Sequence, residues 1–229
     1  MNTKRTAEEA KQNYIEAMGE PLGSLFHELW QEVAWLHKNW KEYVELYGTK
    51  PSRIDLLNTA APTFFRLVQD SLWEGTLLHL ARLTDSPRSA GNPNLTIRRL
   101  PYLIDDLGVK ASVSSLVADA IQATEFCRDW RNRHIAHRDL DLALETSAQP
   151  LKPASRKDVK DALTSIVNVL NQVTGHYMDS EAIYSKTSSP YGALSLIYIL
   201  DDGIKAEEER QERIKRGKHE PEDIQARDL

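Results

Sequence analysis

Apolar residues along the chain recur at intervals of three and four, which is the spacing of one face of an α-helix. The first long stripe follows Pro21 and stops at Gly48, and the second follows Pro62. Each helix must bury its apolar stripe against another helix. The pattern therefore predicts an all-α fold, an antiparallel helical bundle with added short helices. The four strongest stripes cover residues 22–47, 64–83, 116–130 and 159–177.

Local signals predict the shorter elements. Thr96 is a candidate N-cap for a short helix that ends at Gly108, and Ser112 or Ser114 is expected to begin the next helix. The compositions of segments 87–94 (PRSAGNPN) and 185–190 (SKTSSP) are typical of loops, and no segment has the alternation of a strand. A last helix is expected to start near Tyr191. We predict a single helical domain over 1–205, followed by a charged helix end and flexible tail over 206–229.

Composition narrows the classes of function. The chain has 229 residues, a formal net charge of −5 and one cysteine, Cys127. A single cysteine forms no internal disulfide and no cysteine metal cluster. The sequence also has no Glu-x-x-His pair and no Gly-rich phosphate loop, so neither a metal nor a cofactor is expected. The polar start of the chain does not resemble a signal peptide, and no apolar run is long enough to cross a membrane. These features favour a cytoplasmic protein without a membrane partner.

A basic cluster interrupts this acidic background between residues 128 and 138. The segment 127–141 reads CRDWRNRHIAHRDLD, and between 128 and 138 four arginines and two histidines stand against one aspartate. Cations at this density repel one another and attract anions. The members of the cluster are Arg128, Arg131, Arg133, His134, His137 and Arg138.

The residue types in the cluster suit cleavage of a phosphodiester. An arginine side chain presents a planar fork that matches phosphate oxygens, and imidazole exchanges protons near neutral pH. Together they are sufficient for RNA cleavage by the 2′-hydroxyl group without a metal ion. Arg131 and His137 are six residues apart, however, which on a straight helix is about 9 Å of rise and about 120° of rotation. We therefore expect the helix to bend or end between them, or the pairing to occur across a dimer.

The segment RNRHIAH from Arg131 resembles the motif of the HEPN superfamily, an arginine followed after four to six residues by a histidine, usually with a polar residue after the arginine. Within that superfamily the chain resembles the abortive-infection U-type (AbiU) family. Two blocks carry this resemblance, RNRHIAHRDLD at 131–141 and LLHLARLTDSP with NLTIRRL within 77–100.

The resemblance implies a metal-independent endoribonuclease of phage-defence or toxin type that acts as a two-fold homodimer, with RNA as substrate and an antitoxin or second defence protein as possible partner. Arg131, Asn132 and His137 match the catalytic positions of the motif. Four further members of the cluster are added here as candidates for RNA and phosphate binding: Arg128, Arg133, His134 and Arg138.

Three alternatives stay open on sequence grounds. The net charge of −5 favours a HEPN-like dimer that binds RNA, a nucleotide or a protein through the same basic groove without cleaving it. The cations could instead serve only to cap the carbonyl groups at a helix end. A helical adaptor is the third alternative, with the tryptophan-rich first long helix as its interface. Arg98 and Arg99 are expected on a solvated helix face, with an extended nucleic-acid path as the other possibility.

Overall fold

The computed structural model describes residues 6–146, 149–184 and 191–225, and in these residues the fold is all-α apart from one small hairpin. The predicted fold class is therefore confirmed. The predicted loop at 185–190 lies outside the described residues. The helices are α1 (Ala7–Met18), α2 (Glu20–Tyr47), α3 (Pro51–Ala60), α4 (Pro62–Leu83), α5 (Leu100–Leu103), α6 (Leu107–Ala123), α7 (Glu125–Trp130), α8 (Leu140–Ala143), α9 (Arg156–Met178), α10 (Ala193–Lys215) and α11 (Pro221–Ile224).

The segment predicted as a loop after α4 contains a two-stranded antiparallel hairpin. Strand β1 (Arg88–Ser89) pairs with β2 (Asn92–Pro93). Ala90 and Gly91 connect them with φ angles of 49° and 84°, the positive values that a tight type I′ turn requires. The prediction that no strand exists was wrong here because strands of two residues are too short to show alternation.

Helix α6 begins earlier than predicted. Its N-cap is Asp106, whose carboxylate accepts a hydrogen bond from the backbone N–H of Val109 at 2.9 Å. An aspartate cap satisfies one of the free N–H groups at a helix start and is as effective as serine. The start predicted at Ser112 or Ser114 was therefore wrong.

The short helix before α6 begins where predicted and ends sooner. The Thr96 hydroxyl accepts a hydrogen bond from Arg98 N at 3.3 Å and caps a 3₁₀ turn (Ile97–Arg99) that continues into α5. Gly108, predicted to end this helix, lies instead in the first turn of α6. The cap at Thr96 is confirmed.

The chain divides into two compact units. The first comprises residues 1–40 and 72–187, and the second comprises 41–71 and 188–229. The prediction of one domain over 1–205 stays a prediction. Among the described residues, no helix combines the length and the apolarity needed to span a membrane.

Predicted apolar stripes form the core of the first unit. Within it, α6 and α9 have the most extensive contact, and α9 also packs against α1. Because each stripe faces inward, the helix ends that carry the basic cluster are fixed by the core. The fully or almost fully buried core residues include Leu22, Phe26, Leu29, Val33, Leu36, Leu77, Leu80, Leu83, Val113, Val117, Cys127, Val159, Ile166, Leu170 and Val173.

The aromatic residues of α2 in the first unit are largely used within that unit. Trp40 and Trp73 lie with ring centroids 6.2 Å apart, and Trp30 is partly buried against the core. Trp35 is 56% exposed, and the Lys38 ammonium lies 5.3 Å from its ring centroid. Of the three tryptophans of α2, Trp35 is therefore the largely exposed one, and the use of this helix as an interface stays a prediction.

In the second unit, α3 contacts α10, and the carboxylate of Glu42 accepts a hydrogen bond from the backbone N–H of Ala193. This contact caps the start of α10. The helix continues to Lys215, so the charged segment from residue 206 is helical over its first part, and the predicted flexible tail stays a prediction. Arg213 of α10 then forms an ion pair with Asp223 of α11, with 2.6 Å between the nitrogen and the oxygen. Residues 226–229 lie outside the described residues.

Candidate functional site

The helix that carries the basic cluster widens and ends inside the motif. After α7, residues Arg131–Ile135 form a π-helical turn, in which Ala136 N donates to Arg131 O at 2.8 Å. Such turns insert one extra residue and are frequent at functional sites. The helix therefore ends between Arg131 and His137, as one of the two arrangements expected from their six-residue separation required.

Arg131 is held by two oxygen acceptors. Its Nη1 lies 2.5 Å from Asp85 Oδ2, and its Nε donates to Asn132 Oδ1 at 3.0 Å. The side chain of Arg131 keeps 23% of its surface exposed. The guanidinium is thus oriented and remains accessible to an anion from solvent.

Asp85 is the member of this site that the sequence reasoning missed. It lies just after α4, 46 residues before Arg131, so no spacing rule connects the two. The only signal was its position in the LTDSP block that carried part of the family resemblance. Its carboxylate offsets one of the positive charges counted in the cluster.

Arg128 connects the ends of two helices. Its guanidinium donates to Ile121 O at 3.2 Å, to Thr84 O at 3.1 Å and to Thr84 Oγ1 at 3.3 Å. The hydroxyl groups of Thr84 and Thr124, both fully buried, lie 2.8 Å apart. Burial lowers the pKa of Arg128, and the nearby guanidinium of Arg131 lowers it further. Arg128 therefore joins the ends of α4 and α6, and its role in RNA binding stays a prediction.

Arg133 fastens the following loop to the motif. Its guanidinium lies 3.4 Å from the carboxylate of Asp129 and 3.5 Å from that of Asp139, and it donates to Gln149 O at 2.5 Å. A hydrogen bond from Leu142 N, followed by that from Arg133, lowers the pKa of Asp139. Two carboxylates and a carbonyl group thus hold Arg133 within the fold, and its role in RNA binding stays a prediction.

The same loop is attached a second time. Asp129 Oδ2 accepts from Lys152 N at 2.8 Å, and Trp130 Nε1 donates to Lys152 O at 2.9 Å. Segment 149–152 is therefore bonded to both α7 and the π turn. These bonds fix the geometry of the turn from which Arg131 projects.

His134 lies on the side of the π turn and has two neighbours. Its Nε2 is 3.4 Å from Glu74 Oε1, and its ring meets the edge of Trp130 with centroids 5.4 Å apart. A histidine placed in this way packs against the motif helix. Its assignment to phosphate binding stays a prediction.

His137 and Arg138 follow the π turn and are both exposed. Neither side chain forms a hydrogen bond or an ion pair with any other residue in the described ranges. Asn132 is exposed as well, with its carbonyl oxygen on Arg131. Of the seven predicted site residues, the structure directly connects Arg131 and Asn132, and it leaves His137 and Arg138 open to a ligand.

Neighbouring acidic and histidine side chains do not form a metal site in the described part of the chain, where no group of three or more His, Cys, Asp or Glu residues could hold an ion. The first unit combines a helical bundle with an Arg–Asn pair and an exposed histidine at a π turn. This combination defines a helical protein with a HEPN-type motif.

Comparison with known families assigns the chain further. The family model HEPN_AbiU2, described as AbiU2, matches residues 19–198, which is most of the chain and includes the motif. The protein therefore belongs to the AbiU2 family of HEPN proteins, and the resemblance drawn from the sequence is confirmed. No curated protein and no solved structure matches the chain significantly.

Proposed function

We propose that the protein is a metal-independent endoribonuclease of phage-defence or toxin type that acts in the cytoplasm on RNA. One placement carries the proposal: an oriented, accessible Arg131 begins the π turn, and an exposed, unpaired His137 follows it, in a chain of the AbiU2 family. An anchored guanidinium can stabilise charge on a phosphate, and a free imidazole can transfer a proton; phosphodiester cleavage uses both kinds of group.

In the proposed reaction the ribose 2′-oxygen attacks the adjacent phosphorus while the bond to the 5′-oxygen breaks. One imidazole takes the proton from the 2′-hydroxyl group, and a protonated imidazole gives a proton to the departing 5′-oxygen. Arg131 stabilises the negative charge that develops on the phosphate oxygens, and Asn132 holds Arg131 in place. The products are a 2′,3′-cyclic phosphate and a 5′-hydroxyl group.

This reaction favours a homodimer because it needs two imidazoles in opposite protonation states, and His134 is packed against Trp130 and Glu74. A two-fold axis beside His137 would supply the second imidazole from the same surface of a partner. Leu140 and Leu144, on α8 and just after it, are 69% and 62% exposed. An apolar pair of this kind next to His137 is what an interface would cover. An antitoxin or second defence protein remains a further predicted partner.

The test is cleavage of a mixed RNA pool in EDTA at low salt by the parent protein and by His137→Ala. His219→Ala is the matched control, because His219 is also exposed and lies in the second unit. We expect fragments ending in 2′,3′-cyclic phosphate from the parent and the control and none from His137→Ala. Equal activity in all three proteins would contradict the proposal.

The binding alternative has one specific observation in its favour. The Arg131 guanidinium is already paired with Asp85 at 2.5 Å, so a phosphate must compete with a carboxylate for it. If the parent protein binds RNA tightly and leaves it intact after long incubation, this alternative replaces the enzymatic one.

A further inference from the structure

A second basic surface lies in the first unit, outside the Arg131–His137 motif. It is an open pocket of about 500 Å³ beside the β1–β2 hairpin. Two arginines, an aromatic ring and two apolar side chains contribute to its walls, and no acidic side chain does. The lining residues are Ser86, Pro87, Arg88, Arg99, Tyr102 and Leu103.

Tyr102 is placed as an aromatic platform would be. It is 75% exposed, although a tyrosine ring normally buries a large apolar area. It forms no hydrogen bond or ion pair with any other described residue. Pro87 and Leu103 provide an apolar floor beside it, so a flat group entering the pocket would cover surface that water now contacts.

The two arginines give the pocket a positive charge. Arg88 is exposed, and its side chain has no hydrogen-bond or ion-pair partner among the described residues, so its guanidinium is available. Arg99 is fixed by a hydrogen bond from its Nη1 to Pro87 O at 3.2 Å, which leaves its other N–H groups for a ligand. Guanidinium forks match phosphate oxygens. Although the whole chain has a net charge of −5, the two arginines make this pocket locally positive, so it attracts anions.

The pocket begins next to a residue that contacts the motif. Ser86, in its wall, directly follows Asp85, which pairs with Arg131. Asn94 Nδ2 donates to Ser86 O at 2.8 Å and fixes the hairpin at this point. Asp85 and Arg88 are three residues apart, at most about 11 Å. A strand bound at Arg131 can therefore continue to Arg88.

We propose that this pocket is a base-stacking subsite for single-stranded RNA, and the proposal rests on the proposed function. Tyr102 stacks on one unpaired nucleobase, and Arg88 and Arg99 bind the phosphates on either side of it. A base within a duplex is already stacked on its neighbours, so the subsite selects single strands. It would hold the RNA so that the next phosphates reach Arg131.

The experiment measures RNA affinity in the full-length His137→Ala protein, which removes cleavage from the measurement. The probes are one end-labelled RNA as a single strand and the same RNA annealed to its complement, each over a range of salt concentrations. Tyr102→Leu, Tyr102→Phe and Arg88→Ala are added to this background. Tyr198→Leu is the matched control, since Tyr198 is also a largely exposed tyrosine, 63%, and lies in the second unit.

We expect Tyr102→Leu to weaken single-strand binding by about tenfold or more, and Tyr102→Phe to stay within about twofold of the background protein. Arg88→Ala should reduce the slope of log affinity against log salt by about one, because one phosphate contact is lost. Tyr198→Leu should change neither quantity.

Unchanged single-strand affinity in Tyr102→Leu would overturn the subsite, and the ribonuclease proposal would still stand if cleavage depends on His137. Loss of affinity in Tyr102→Leu without any cleavage by the parent would support the subsite and contradict the enzyme. Failure of every variant and of the background protein to bind RNA would overturn both.

Discussion

Replacing Arg128 by methionine should destabilise the first unit and leave the RNA affinity of the folded protein unchanged. The change keeps most of the aliphatic stem and removes the guanidinium, together with its three hydrogen bonds to Ile121 and Thr84. The carbonyl groups at the ends of α4 and α6 would then lack a charged donor. This outcome would separate Arg128 from the other cations of the cluster.

The magnitude follows from those three bonds. A hydrogen bond to a charged group contributes about 1.5–3 kcal/mol, but the three share one guanidinium that is only partly buried, so they do not add. We expect the free energy of unfolding to fall by about 2–4 kcal/mol. With the usual dependence on urea, the midpoint of unfolding should fall by roughly 1–2 M.

Tryptophan fluorescence is the appropriate assay because all five tryptophans, at positions 30, 35, 40, 73 and 130, lie in the first unit. Arg138→Met is the matched control, since Arg138 is exposed and unpaired among the described residues. The control should change stability by no more than about 0.5 kcal/mol and should weaken RNA binding. If Arg128→Met unfolds at the parent's urea concentration and loses RNA affinity, the assignment of Arg128 to the fold is wrong.

Three further outcomes follow from the same structure. Asp85→Asn should lower the cleavage rate by roughly 10- to 100-fold without raising KM, because the carboxylate orients Arg131 and also competes with phosphate for it; parent-like kinetics would contradict this. Cys127 is fully buried, which raises the pKa of its thiol to about 12, so a thiol reagent at pH 8 should modify it only after unfolding. Burial lowers the pKa of His37 to about 4. Between about pH 6.5 and 4 the unfolded chain therefore binds a proton at this histidine that the folded chain does not. As the pH is lowered through this range, the free energy of unfolding should decrease by at most about 3 kcal/mol. His37→Phe should reduce that fall in urea titrations at pH 7 and 5, and an equal fall in the parent would contradict it.

The apolar pattern was sufficient to predict the long helices because they bury an apolar stripe in a core, as Phe26 on α2 and Val173 on α9 do. The elements that it did not predict have other physical origins. The hairpin depends on two positive φ angles at Ala90 and Gly91, and α6 starts at an aspartate cap that the serines downstream obscured. Neither feature has an apolar periodicity.

The sequence nominated candidate site residues, whose roles stay predictions, but it did not show how their side chains are paired. The motif identified Arg131 and His137 directly, since both lie in one short segment of the chain. Asp85 could not be found in this way, because its contact with Arg131 exists only once α4 and α7 are packed together. The contact of Arg128 with Thr84 was hidden for the same reason.

The density of cations in the motif has a physical explanation in these partners. Arg128 joins the ends of two helices and Arg133 binds a loop, so two of the four arginines in the cluster make contacts within the fold beside the turn. On a continuous helix, Arg131 and His137 would point about 120° apart. The π turn and the end of the helix after it replace that regular geometry, and the contacts of Arg133 with Asp129, Asp139 and Gln149 O hold the turn. The structural arginines therefore maintain an irregular backbone at the place where a regular helix would separate the two groups that the proposed chemistry requires.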